Sequence, residues 1–164
     1  MKQLEPPDSH HLKAAQGWLE LGNPNEANEE LKQIRLEWRF HPEVLLARWE
    51  IYARGSQWEF AYTIAHGMVA LIPENPAGWI KRSVSLHQMR RTPEAWLTLL
   101  PAAKKFPNNF NVAYDLARYA CQLGKFSDAF RWLERAKLLA DPQTFKQLSR
   151  KDPALEPLWE HAHK

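Results

Sequence analysis

Along residues 110–123, FNVAYDLARYACQL, apolar side chains return at three- and four-residue intervals, which puts them on one face of a helix. Gly124 comes next, at a place where a backbone of positive φ is least costly for glycine, and marks the helix end. A second amphipathic run, SDAFRWLERAKLLA, begins at Ser127, which the pattern assigns as its N-cap. Asp128 lies near its positive end, Arg135 and Lys137 lie near its negative end, and Asp141-Pro142 stops it. The pattern predicts two antiparallel helices joined by a short turn.

The same pattern recurs with a period of 34 residues. One phase links Ala27, Ala61, Ala95 and Ala129; a second links Leu31, Ala65, Leu99 and Leu133; a third links Ile34, Met68, Ala102 and Ala136. A further slot, Trp18, Tyr52, Leu86 and Ala120, is apolar or aromatic each time, and Pro73 and Pro107 are each followed two residues later by an Asn. Ala129 and Ala136 are about two turns apart on one face, where short side chains let a neighbouring helix approach closely. The fold class expected is all-α, a stack of helix pairs. Pro42 comes three residues later than the proline period requires, so a lengthened second helix in the first pair and a shortened helix after it are expected. Beyond Pro142, QTFKQLSR reads as a short helix, Asp152-Pro153 as a turn, and LEPLWEHA as a last helix. Its Leu155, Leu158 and Trp159 would cover the open apolar face of the fourth pair, the capping that a stack of repeats requires.

With Trp79, Ala95, Ala102 and Pro107 in the third pair and the Gly124, Ala129 and Ala136 series in the fourth, the chain resembles the tetratricopeptide repeat (TPR) family. The resemblance spans four units, about 8–41, 42–75, 76–109 and 110–142, with 143–164 as a C-terminal cap, so that 1–164 reads as a single α-solenoid domain. The order QLG…DAFRWL…DPALEPLW also resembles bacterial TPR proteins with no single assigned role. Three positions depart from the family pattern: Arg48 and Arg82 stand where a Leu is usual, and Trp49 where a Gly or Ala is usual. The resemblance implies a non-enzymatic scaffold that takes a protein or peptide ligand in a concave groove. It carries that groove onto Gln16, Glu50, Arg54, Lys81, His87, Tyr114, Arg118 and Gln122, a polar set of mixed charge in which Tyr114 is expected to be an exposed aromatic. The carboxylate clamp of some family members is missing, because its positions hold Leu12, Gln16, Ala47, Ala77 and Lys81. A secretion-type chaperone is an alternative that the resemblance also allows.

Composition refines this picture in a few places. The 164 residues are 45% hydrophobic and 25% charged, as in an ordinary globular chain, and eight are Trp. Six of those fall at repeat-defined positions, where the period assigns them to the core rather than to stacking on nucleic-acid bases. Net charge is +3, divided as −4 over residues 1–75 and +7 over 76–164. That basic half raises nucleic-acid binding as an alternative, which is disfavoured because Lys81, Arg90, Lys104, Arg118 and Arg131 scatter over different faces. One cysteine, Cys121, allows no intrachain disulfide and no Cys-based zinc site, and is expected to be a half-buried small residue. His10 with His11, and His161 with His163, have spacings that do not converge from one helical face, so no metal is expected. Motifs for acyl transfer, phosphate cradling, dinucleotide binding and zinc hydrolysis are lacking, so neither catalytic residues nor a cofactor are expected. The N-terminus reads as no secretory signal and no apolar run is of spanning length, so a cytoplasmic protein without membrane association is expected.

Overall fold

Helices α1 (Asp8–Glu20), α3 (Pro42–Arg54), α5 (Pro76–Gln88) and α7 (Phe110–Gln122) begin 34 residues apart in the computed structural model, which describes residues 3–162. Each is followed by a partner: α2 (Pro24–Gln33), α4 (Trp58–Leu71), α6 (Thr92–Lys105) and α8 (Phe126–Leu139). Then come α9 (Pro142–Lys151), a 3-10 turn (Pro153–Leu155) and α10 (Glu156–Ala162), with no strand among the described residues.

The bend inside each pair has one recurring cause. Gly22, Ser56, Arg90 and Gly124 share a phase and all adopt left-handed backbone, with φ of 77°, 54°, 63° and 70°. The amide one residue further on reaches back over the helix end: Asn23 N–H donates to Trp18 O, Gln57 to Tyr52 O, Arg91 to Leu86 O and Lys125 to Ala120 O, at 2.8–2.9 Å. This six-residue closure satisfies carbonyls that a helix end would leave bare. The partner helix then starts without a side-chain cap at three of the four bends. Only Asn23 accepts from the Glu26 amide, and α8 begins at Phe126 with Lys125 at its N-cap. Ser127 is therefore inside α8 and caps nothing, because the left-handed turn at Gly124 delivers the chain into helix two residues earlier than the Ser signal suggests.

All twelve residues of the three small-or-apolar phases are buried, and Ala27, Ala61, Ala95 and Ala129 have no exposed surface. Trp18 departs from its slot: it is 36% exposed, where Leu86 and Ala120 are buried. The chain divides into two compact units, Met1–Ser85 and Leu86–Lys164. In the first, Leu12, Leu19, Leu31, Ile34 and Val44 form one core cluster, with Trp38 and Ile51 packed against it. Trp49, Ala61 and Ala65 form a second. In the second unit Leu99, Leu116, Tyr119 and Leu155 are fully buried.

The effect expected of Pro42 is reversed. α2 has 10 residues against 14 in each of α4, α6 and α8, and α3 is a full 13. Pro42 sits in the first turn of α3, where a missing N–H costs nothing, in the same phase as Pro76. α2 ends early because the segment after it is committed elsewhere. The Arg35 amide and guanidinium Nε donate to the carboxylate of buried Asp8 at 2.8 and 2.7 Å, and Leu36–Trp38 turns as a 3-10 helix. Burial alone would raise the Asp8 carboxyl, but the Arg35 hydrogen bonds outweigh it and hold the group below its ordinary value.

Trp49 fits where a small residue is usual because α5 supplies the missing space. Ser85 is fully buried there, and the Trp49 indole N–H donates to Ser85 Oγ at 3.0 Å. The two arginines in leucine slots are half-buried; the Arg82 guanidinium lies 5.0 Å from the Trp79 ring centroid.

Candidate functional site

In the first unit α1 and α3 together line an open hollow of about 410 Å³. Gln16 and Glu50, 34 residues apart, face into it with Glu20, Glu43, Leu46 and Ala47. Gln16 also borders an adjoining hollow of about 650 Å³, with Leu12, Lys13, His41 and Glu43. Three carboxylates line the smaller hollow, and although Glu50 is paired with Arg54, Glu20 and Glu43 leave it a net negative field. Arg54, one turn beyond Glu50, pairs with it at 2.7 Å on the exposed side of α3. Lys81 is occupied differently: its ammonium stands 4.0 Å from the Trp49 ring centroid and its carbonyl accepts from Ser85 Oγ.

In the second unit His87 is half-buried, with Nδ1 3.0 Å from Thr92 Oγ1 and its ring 5.0 Å from that of Tyr119. Burial, followed by the charges of Arg118 and Arg90, lowers its pKa. Tyr114 is 6% exposed rather than a free aromatic, because the C-terminal segment covers it. Its hydroxyl donates to Asp152 Oδ2 at 2.9 Å, and burial followed by that bond raises its pKa. Arg118 lies between two carboxylates, 3.0 Å from Asp152 and 3.1 Å from Asp115. Beside this cluster an open hollow of about 600 Å³ is lined by Tyr114, Arg118, Thr144, Leu148, Lys151 and Pro153. Gln122, the last residue of α7, is exposed and outside that lining.

Leu155 and Leu158 cover the fourth pair as expected, at 0% and 4% exposure. Between α8, α9 and α10, however, an apolar hollow of about 800 Å³ stays open, bordered by Phe130, Leu133, Leu138, Phe145 and Trp159. The repeat phases could not reveal it. Its signal is the apolar character of Phe130 and Leu138, which lie off the Ala129–Leu133–Ala136 stripe and are 56% and 85% exposed. Asp152 likewise has no signal in the repeat phases, since an Asp before Pro reads as a turn signal.

Cys121 is fully rather than half buried, and burial raises its thiol pKa, the opposite of an activated nucleophile. His11 Nδ1 lies 2.8 Å from Glu30 Oε2, and His161 stacks on Phe126 at 4.4 Å. His163 lies outside the described residues, and among those described no group of His, Cys, Asp and Glu converges as a metal site. No helix among them is long and apolar enough to cross a membrane. Several basic side chains of the second half are engaged internally: Arg91 with Glu94, Arg131 with Asp128, Lys137 with Glu134, and Arg135 on the Pro107 carbonyl.

No family model matches this sequence, and no curated protein is similar to it at the sequence level. Solved structures are similar over nearly the whole chain. MamA (41-end) from Desulfovibrio magneticus RS-1 has a TM-score of 0.72 at 17% identity, covering 98% of this chain and 92% of that one. A thermophilic TPR protein of Thermus thermophilus has a TM-score of 0.69 at 19% identity, covering 96% and 92%. MamA AMB-1 has a TM-score of 0.64 at 20% identity, covering 95% and 90%. At such identities the likeness is one of fold, and with the four recurring bends and the buried alanine phase it gives this chain the helical-repeat fold seen in TPR structures.

Proposed function

We propose that this chain is a non-enzymatic scaffold that binds a segment of another protein on the face made by α1 and α3. The observation that carries the proposal is the hollow between α1 and α3, where Gln16 and Glu50 stand together with Glu20 and Glu43. An open, polar, negatively charged face built from successive helices suits an extended or helical segment carrying Lys or Arg. Binding of this kind needs surface and charge rather than a reacting group, which agrees with the lack of catalytic motifs in the sequence. Nucleic acid is the weaker alternative, because the cations it would use are dispersed and several are already paired.

Affinity capture from a bacterial lysate, read by mass spectrometry, tests the assignment. Glu20→Lys with Glu50→Lys changes two side chains outside the core and reverses the sign of the hollow. Partners captured by the wild type should be lost by this variant, and their capture by the wild type should weaken with added salt. An identical partner set for both proteins at every salt concentration would remove this face from consideration.

A further inference from the structure

The C-terminal arm, Asp152 to Ala162, packs against α7. Asp152 accepts from the Tyr114 hydroxyl at 2.9 Å and lies 3.0 Å from Arg118 Nε, while its other oxygen accepts from the Ala154 amide at 2.9 Å and starts the 3-10 turn. That turn brings Leu155 to full burial, and Leu158 follows it at 4% exposure. Tyr114 and Arg118 are two of the positions that the TPR resemblance implies for a ligand face. They are therefore covered by a segment of the same chain. The contact is polar at one end and apolar at the other, and the open hollow beside it, with Thr144, Leu148 and Lys151, leaves a way in from the side.

Resting on the scaffold reading above, we infer that the face of α7 is a second segment-binding site, and that the arm occupies it as an internal stand-in for a partner's segment. The partner it fits carries a carboxylate followed by proline and, three residues after the carboxylate, a leucine, on the pattern of Asp152, Pro153 and Leu155. The carboxylate supplies the charge-assisted contact to Arg118 and Tyr114, the proline starts the turn, and the leucine fills the buried place. A tethered occupant competes at an effective concentration on the order of millimolar, so a partner segment of ordinary affinity enters only when it is abundant or when the arm is weakened.

The probe is a fluorescently labelled peptide of sequence RKDPALEPLWEHA, residues 150–162 of the chain itself, added to full-length protein. Asp152→Ala with Leu155→Ala in the protein should bind it at least about tenfold more tightly than the wild type does. Replacing the Asp of the peptide with Asn should weaken that binding. Equal binding by both proteins, or no binding by a variant that keeps wild-type helical circular dichroism, would overturn the inference. Should the variant unfold, amide exchange on the wild type decides. Excess unlabelled peptide should speed exchange at 155–161 while α7 stays protected. Arm amides that exchange only together with α7, whatever the peptide concentration, would also overturn it. These readouts do not involve α1 or α3, so loss of capture by the Glu20→Lys, Glu50→Lys protein beside a closed arm would leave the scaffold proposal standing.

Discussion

The four left-handed bend residues are a direct test of local backbone energetics. Gly22 and Gly124 adopt positive φ without strain, whereas Ser56 and Arg90 hold the same conformation with a Cβ. Arg90→Gly should therefore stabilise the protein by up to about 1 kcal/mol, and Gly124→Ala, which meets no neighbouring atom, should cost about 1 kcal/mol from backbone alone. Urea midpoints at constant slope report both. His87 gives the residue scale a pH dependence. Its folded pKa is lowered, so below about pH 6.5 the unfolded chain binds more protons than the folded one. The stability concerned is fully present above that pH and is lost as pH falls through the lower folded value. Urea midpoints at pH 7.5 and pH 5 should differ more for the wild type than for His87→Gln.

At the level of elements, the buried alanines set how closely paired helices approach. Ala129→Leu inserts three carbons where no surface is free, and should destabilise by about 1–3 kcal/mol while leaving the bend at Gly124 intact. A Leu at exposed Arg131, on the same helix, should change stability little. The element scale is also where the sequence was most legible. The recurrence of helix pairs was legible because one physical constraint, close crossing at a small residue, recurs at Ala27, Ala61, Ala95 and Ala129. The end of α2 was not legible, because it depends on Asp8 holding Arg35 across 27 residues, a contact that no local pattern encodes. The burial of Tyr114 was hidden for the same reason. The TPR resemblance leads one to expect it on an open face, but Asp152, 38 residues later, covers it. Of the proposed groove residues, Gln16 and Glu50 share a hollow, whereas Lys81 holds Trp49, which shows that phase gives the face of a helix but not what its neighbours have already used.

For the whole molecule, repeat construction makes contacts mostly local, and each helix pair depends chiefly on its neighbours. Leu31→Ala, at a fully buried position of the first core cluster, should cost about 2–5 kcal/mol. Native-state amide exchange should show that loss at α1–α3, with α7 and α8 changed much less. Uniform acceleration along the chain would mean one cooperative block instead.

Ser56 and Arg90 show that the hairpin corners tolerate bulky and even cationic groups where glycine is ideal. Evolution could thus decorate those corners almost at will, since only a modest conformational strain stands against each new side chain and no core atom has to move. A lineage of such chains can keep its scaffold constant while it diversifies these corners, and dyes, tags or crosslinkers attached there should be equally well borne.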